Sequence, residues 1–159
     1  MREFVAAGER RVGRGEGILA VAGLGSCVAV ILYDPLSRVG GLAHVLLPDP
    51  TFSSQPHRRW RYATTAIPEL IHELVLAGAD RQRLTARIVG GATMFQDIMP
   101  KNQPNIGERN IKAARTVLGE AGVPILAEQV GGDFGRSVEF DLGDGVVRVS
   151  AQGKNRVEL

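Results

Sequence analysis

Cys27 and His44 are the two residues of this sequence whose types suit nucleophilic catalysis. A cysteine thiolate is a strong nucleophile near neutral pH, and a neighbouring imidazole increases the thiolate population. The cysteine closes the run Gly23-Leu24-Gly25-Ser26-Cys27. Because glycine has no Cβ, a ligand can approach the backbone closely there. We therefore predict an oxyanion hole beside the nucleophile, formed by the backbone N–H groups of Gly25, Ser26 and Cys27.

A predicted hairpin brings the cysteine and the histidine together. Apolar runs on either side of residues 34–37 predict two strands, and Asp34-Pro35-Leu36-Ser37 is typical of a turn. If Tyr33 pairs with Arg38, Cys27 lies directly opposite His44, with both side chains on one face of the sheet. Directly opposed Cβ atoms lie roughly 4.5–5.5 Å apart. A register shifted by one residue would place the two side chains on opposite faces.

The alternative interpretation is that both residues are structural. Free cysteines are among the most buried residue types, and most of them serve packing. A histidine in a strand is also commonly structural. From the local sequence alone, catalysis and packing both stay open.

Composition restricts the classes of function. The chain has one cysteine, so no internal disulfide forms, which favours a reducing compartment, and we expect a cytoplasmic protein. There is no signal pattern and no apolar run of membrane-spanning length. The 19 basic and 17 acidic residues leave a net charge of +2, too small to predict nucleic-acid binding. No set of His, Cys, Asp and Glu has metal-ligand spacing, so we expect no metal site.

The remaining pattern predicts one α/β domain over residues 1–159, an α/β sandwich with a mixed, strand-rich sheet and about two main helices. Apolar spacing predicts helices over Tyr62–Ala77 and Ile106–Ala121. Asn105 is the predicted N-cap of the second helix, and Gly78 and Gly122 are the predicted stops. Pro68 requires the first helix to start near Thr64 or Thr65, or to kink. The predicted strands are Ile18–Ala22, Cys27–Tyr33, Val39–Leu47, Leu84–Val89, Ile125–Val130, Ser137–Leu142 and Val146–Ser150.

A family resemblance covers almost the whole chain. Its motifs are Gly23-Leu24-Gly25-Ser26-Cys27-Val28-Ala29-Val30, Gly41-Leu42-Ala43-His44, Gly90-Gly91-Ala92, Ile106-Gly107-Glu108-Arg109-Asn110, Gly131-Gly132 and Gly135-Arg136. In this order they closely resemble the signature of the CheD family of chemoreceptor glutamine deamidases.

The resemblance implies a function, a fold and partners. Cys27 would attack the side-chain amide of a glutamine on the cytoplasmic helices of a chemoreceptor, and His44 would act as general base and acid. Glutamate methyl esters would be hydrolysed by the same acyl chemistry. The resemblance implies a fold similar to the catalytic domain of cytotoxic necrotizing factor, no cofactor and no metal. It also implies a monomer that binds a CheC-type phosphatase and stimulates it.

One departure from the family pattern weakens the catalytic interpretation. The family places a threonine six residues before the cysteine to orient the histidine, and here that position is Val21. A backbone carbonyl, a water or another hydroxyl such as that of Thr93 are the candidate replacements. A second hypothesis is therefore an interaction module, weakly catalytic or inactive, that binds the CheC-type phosphatase. A third is a cysteine peptidase or amidase with a deep pocket for a small substrate.

The remaining motifs have structural interpretations. Gly90-Gly91-Ala92 is expected to form a turn or a close backbone contact. Asn110 is expected to tie down the loop before its helix. Gly131-Gly132 and Gly135-Arg136 are expected to form a tight connection, with Arg136 as a candidate residue of the site entrance. The cluster His57-Arg58-Arg59-Trp60-Arg61 is either a solvated loop leading into a helix or a docking patch for an acidic protein partner, with Trp60 as its apolar anchor.

Overall fold

A computed structural model describes residues 1–94 and 105–159. The strands are β1 Arg2–Phe4, β2 Arg10–Arg14, β3 Ile18–Leu24, β4 Val28–Asp34, β5 Val39–Val45, β6 Thr85–Gly90, β7 Ile125–Val130, β8 Arg136–Asp141, β9 Val147–Ser150 and β10 Val157–Glu158. The helices are α1 Ala63–Leu76 and α2 Ile106–Glu120, and short 3-10 turns cover Pro50–Phe52, Arg59–Arg61 and Arg81–Arg83.

The strands form two five-stranded sheets, in the orders β1-β3-β8-β9-β10 and β2-β5-β4-β6-β7. Each sheet is mixed, because β1 runs parallel to β3 and β6 runs parallel to β7 while the other pairs are antiparallel. The prediction of an α/β sandwich with mixed strands and two main helices is confirmed. The structure divides the strands between two sheets, where the sequence pattern indicated one.

The central strand β4 explains the layering. Every residue of β4 is buried. Val28, Val30 and Leu32 pack in one apolar cluster with both helices, whereas Ala29 and Ile31 pack in a second cluster with the β3, β8 and β9 strands. The fold therefore has three layers, helices against one sheet and that sheet against the other.

Both helices begin and end where the sequence indicates, to within two residues. The side chain of Asn105 caps α2 by accepting the Glu108 N–H at 3.1 Å. Gly78 and Gly122 follow the helices with φ of +111° and +73°, the left-handed conformation that glycine favours. Pro68 lies in the second turn of α1, which begins at Ala63, and there it removes one helical N–H donor. Neither α1 nor α2 is long and apolar enough to cross a membrane.

The β4–β5 hairpin has a different register from the predicted one. Asp34 pairs with Val39, and Ala29 lies opposite His44. The Asp34 carboxylate accepts the N–H groups of the turn at 3.0 and 3.4 Å, and Arg38 takes φ of +56°. The four-residue turn therefore starts at Pro35, one residue later than predicted, which shifts all the pairs by two residues. The predicted pairing of Cys27 with His44 is wrong, but an even shift leaves them on the same face.

Asp34 fixes this turn through a buried carboxylate. It accepts two hydrogen bonds of 2.9 Å from the Arg83 guanidinium and one of 2.8 Å from the Asp80 N–H. Burial alone would raise the pKa of Asp34, but these hydrogen bonds outweigh burial and hold the pKa well below its usual value. The carboxylate thus stabilises the fold in its ionised form.

We expect Asp34→Ala to lower the free energy of unfolding at pH 7 by about 2 kcal/mol, because it leaves several partly buried N–H donors without an acceptor. Since the folded pKa lies below the unfolded one, the difference between wild type and variant should be complete above about pH 4 and shrink as pH falls further. Urea unfolding at several pH values measures it. Asp133→Ala, at an exposed aspartate, is the control, and equal stability of the two variants would contradict the role given to Asp34.

Candidate active site

Cys27 lies immediately before β4, at the edge of the layer between the two sheets. Its side chain is partly exposed and packs against the inter-sheet cluster. The next strand approaches it closely, since a Cβ on Gly90 would lie 2.3 Å from the Cys27 carbonyl oxygen. Gly90 also has φ of +112°. The prediction of a close backbone contact at Gly90-Gly91-Ala92 is confirmed, and this contact positions the cysteine.

The loop before Cys27 is held by its carbonyl groups. Each carbonyl accepts a hydrogen bond of 2.9 Å: Gly25 from the Ala92 N–H, Ser26 from the Asn110 side chain, and Cys27 from the Gly91 N–H. Within residues 1–94 and 105–159, the N–H groups of Ser26 and Cys27 have no backbone acceptor. An oxyanion hole needs N–H donors without an internal acceptor on a fixed loop, so this loop is compatible with the predicted one.

His44 lies near the end of β5, on the face that packs against the second sheet, and is 8% exposed. Cys27 precedes Ala29, the residue opposite His44, by two positions, so cysteine and histidine are diagonal neighbours. Diagonal neighbours in a sheet are roughly 7–8 Å apart between backbones, within reach of a side chain as long as histidine. The two predicted catalytic residues therefore share one face and one end of the β4–β5 pair.

The imidazole of His44 is oriented by a backbone carbonyl. Its Nδ1 lies 3.0 Å from the Val5 carbonyl oxygen. A carbonyl only accepts, so Nδ1 must carry the proton and the neutral ring keeps its lone pair on Nε2. The segment after β1 is itself fixed, because the Val5 N–H donates to Ala20 O and the Gly8 N–H donates to His44 O, both at 2.8 Å.

Val5 thus makes the contact that the family pattern gives to a threonine. Val21 is 2% exposed in the inter-sheet cluster and has no hydroxyl to offer. Thr93, the other candidate, lies across the loop with its N–H bonded to Gly132 O at 2.9 Å. Sequence reasoning left a backbone carbonyl open as a replacement but had no signal for Val5, because every residue carries a carbonyl and only the fold selects one.

Burial sets the resting protonation of the pair. It raises the pKa of the Cys27 thiol and lowers the pKa of His44, where the Val5 hydrogen bond only partly opposes it. Both shifts favour neutral groups near pH 7. The two shifts therefore do not favour a thiolate–imidazolium pair in the resting site.

We expect Cys27 alkylation by iodoacetamide to be slow at pH 7 and to rise about tenfold per pH unit up to pH 9, because a raised thiol pKa leaves little thiolate. Mass spectrometry of the modified protein over time measures the rate. A preformed thiolate–imidazolium pair would instead give a fast rate that is flat between pH 6 and 8, and that profile would contradict the neutral resting pair.

A cleft of about 560 Å³ lies beside the loop that precedes Cys27. Its wall includes Gly25 and Ser26, directly before Cys27. The wall also includes the first residues of α2 and Met94, whose side chain packs against Gly25. A mostly apolar cleft next to a partly exposed thiol suits an extended substrate side chain with an amide at its end.

The remaining predicted residues have structural positions. Asn110 is fully buried, and its side-chain amide donates to the carbonyls of Ser26 and Leu46 at 2.9 Å. It therefore ties together two distant loops of the site. The prediction that it ties down the loop before its own helix was wrong. Arg136 is 2% exposed and bonds Gly131 O at 2.7 Å, which secures the tight connection predicted there. Gly135 lines the cleft. Among the described residues, no group of three His, Cys, Asp or Glu could hold a metal ion.

Comparison with known proteins identifies the family. Residues 46–151 match the family described as "CheD chemotactic sensory transduction". A protein of Thermotoga maritima named "Chemoreceptor glutamine deamidase CheD" is 40% identical over 153 residues, which cover 96% of this chain and 94% of that protein. The chain belongs to the CheD family. An alignment of that extent includes positions 27 and 44, although the family match starts two residues after His44.

A second relative carries a similar name. This CheD-family chain is 41% identical to the "Probable chemoreceptor glutamine deamidase CheD" of Caldanaerobacter subterraneus over 145 residues, 91% of this chain and 90% of the relative. Among solved structures, the Bacillus licheniformis hypothetical protein YfiH matches with a TM-score of 0.44 and 15% identity, over 70% of this chain and 46% of that one.

Proposed function

We propose that this CheD-family protein hydrolyses glutamine side chains of chemoreceptors to glutamate, with Cys27 as nucleophile and His44 as general base and acid. The observation that carries the proposal is the hydrogen bond from His44 Nδ1 to Val5 O, on the same sheet face as the partly exposed Cys27. It leaves Nε2 as the nitrogen that can accept the thiol proton. The names of the relatives supply the substrate class.

Acylation starts from a neutral Cys27 thiol and a neutral His44 imidazole. His44 Nε2 takes the proton from Cys27 Sγ as the sulfur attacks the glutamine Cδ. Negative charge develops on the amide oxygen, next to the free N–H groups of Ser26 and Cys27. The protonated imidazole then donates to the amide nitrogen, the C–N bond breaks, and ammonia leaves a thioester on Cys27.

Deacylation reverses the roles. His44 Nε2 accepts a proton from water, and the hydroxide attacks the thioester carbon. The C–S bond breaks, the thiol regains its proton from the imidazolium, and the product is glutamate. Glutamine and one water thus give glutamate and ammonia, with no cofactor. A glutamate methyl ester would enter the same cycle with methanol as the leaving group.

The alternative of an interaction module depended on Val21, which cannot orient His44. The Val5 carbonyl supports the enzyme instead, because it fixes the same tautomer by another route. Binding of a CheC-type phosphatase stays a separate prediction, and Cys27→Ala should leave such binding intact.

The proposal is tested by incubating the protein with a fragment of a chemoreceptor cytoplasmic bundle and following peptide masses. Deamidation adds about 1 Da per glutamine, so a time-dependent gain at defined glutamines is expected. A receptor fragment whose masses stay unchanged would refute the proposed function.

A further inference from the structure

A second pocket, of about 450 Å³, contains the basic cluster that the catalytic site does not use. We name it the arginine pocket; its wall consists of Ala7, Gly8, Leu46, His57, Arg58, Arg59, Trp60, Arg61 and Glu69. The basic segment precedes α1 and includes the 3-10 turn Arg59–Arg61. The segment does lead into a helix, as one of the two predictions for it stated, and it also forms a concave surface. The alternative of a docking patch stays a prediction.

The arginine pocket is joined to the catalytic site by backbone hydrogen bonds. The Arg61 carbonyl accepts from the N–H groups of Leu46 and Leu47 at 2.9 and 3.1 Å, directly after the strand that carries His44. On the other side of the pocket, Gly8 donates to His44 O at 2.8 Å. The pocket therefore lies next to the end of β5 that carries His44.

The positive charge in the pocket is only partly neutralised. Arg59 forms an ion pair with Glu69. Arg58 is exposed, and its side chain forms no ion pair or hydrogen bond with the residues that the structure describes. The Nη1 of Arg61 bonds only the neutral Gln55 side chain at 3.2 Å, and its Nε is buried with no acceptor. No carboxylate of the described residues neutralises Arg58 or Arg61, so an incoming carboxylate would find positive charge in this pocket.

The aromatic residue of the cluster gives the pocket a rigid wall. Trp60 is partly buried and packs against the helical core. The Arg10 guanidinium lies 4.3 Å from the centre of its ring and is held by two hydrogen bonds to Glu73, at 3.0 and 2.8 Å. With Trp60 fixed, the free arginines are presented on an ordered surface.

The separation between Cys27 and the arginine pocket matches the spacing of residues on an α-helix. Extending the β4–β5 register by one residue places Leu46 opposite Cys27, and Arg61 lies on the far side of Leu46. Two strand spacings of about 4.8 Å then separate the backbones of Cys27 and Arg61 by roughly 10 Å. Residues two turns apart on an α-helix are separated by roughly the same distance.

From these observations we infer that the arginine pocket binds a glutamate carboxylate of the substrate, carried on the same receptor helix as the target glutamine and about two turns from it. Arg58 and Arg61 form the binding groups. The inference rests on the proposed function for the identity of the helix. It makes the pocket a specificity determinant, one that selects glutamines with an acidic neighbour at a fixed spacing.

The test compares Arg58→Glu and Arg61→Gln with Arg14→Glu. Arg14 is an exposed arginine paired with Val39, at the opposite end of β5 from His44. The KM for the receptor fragment should rise about tenfold in both pocket variants with kcat unchanged, and Arg14→Glu should match wild type. Alkylation of Cys27 by iodoacetamide should proceed equally in all of them. Arg58→Glu, at an exposed residue, keeps the test valid if Arg61→Gln fails to fold.

Changing the substrate completes the test. Replacing by glutamine the receptor glutamates about two turns from the target should raise the wild-type KM about tenfold. The same replacement should not raise the KM of Arg58→Glu, because there it removes a repulsion between two carboxylates. Deamidation with KM insensitive to both changes would overturn the inference and leave the proposed function standing. If wild type deamidates nothing, binding of Cys27→Ala protein to the fragment decides, because affinity that does not depend on Arg58 overturns the inference as well.

Discussion

Replacing Cys27 by alanine is expected to lower the rate of receptor deamidation by a factor on the order of 10⁴ or more. The thiol is the group that forms the covalent bond to the substrate, so its loss removes the acylation route and not only an interaction that assists it. Because Cys27 is partly exposed at the edge of the sheet layer, the fold should tolerate alanine. Mass spectrometry of the receptor fragment measures the rate, and thermal unfolding checks the fold.

Ser26→Ala is the matched control, since it removes a neighbouring side chain and keeps the backbone N–H groups of the loop. It should retain at least a third of wild-type kcat. If Cys27→Ala keeps measurable kcat while Ser26→Ala loses it, the nucleophile has been assigned to the wrong residue of the loop.

Removing residues 1–7 is expected to lower kcat by a factor on the order of 10³, because the chain then lacks the Val5 carbonyl that fixes the His44 tautomer. The deletion also removes β1, an edge strand of three exposed residues, so some stability is lost with it. A readout that separates orientation from stability is therefore needed.

Val21→Thr supplies that readout. In the full chain His44 already has its partner, so an added hydroxyl should change kcat by less than about twofold and cost about 1 kcal/mol for the buried polar group. In the chain that lacks residues 1–7, Val21→Thr should raise kcat about tenfold over the same shortened chain with valine. A large gain from Val21→Thr in the full chain would indicate that Val5 does not orient the histidine.

Much of the fold could be predicted from periodicity, and its failures have common physical causes. Buried strands such as β4, with seven consecutive buried residues, leave a clear apolar run. The strands β1, β2 and β10 lie at sheet edges, where one side has no partner strand. Their residues are partly or fully exposed, so they lack the alternation that a strand prediction depends on. Which strands belong to which of the two sheets depends in part on these edge strands, and the periodicity of the sequence does not reveal it.

The candidate site also has features that the sequence predicted and features that it did not. The sequence predicted Cys27 and His44 from their residue types and from the glycine-rich loop before the cysteine. The predicted register was wrong by two residues, and because this shift is even the two side chains stay on the same face. The orienting group was not visible, because Val5 acts through its carbonyl and not its side chain. Asn110 was assigned to the wrong loop, because its position on a helix does not reveal which distant carbonyls its amide meets.

The covalent intermediate offers the most direct test of the account. Acid quenching during turnover of a receptor peptide, followed by digestion and mass spectrometry, should recover the peptide containing Cys27 joined to the receptor peptide. Its mass should be about 17 Da below the sum of the two, which corresponds to the loss of ammonia. An adduct on any other residue, or steady formation of glutamate with no adduct on Cys27, would contradict the central claim.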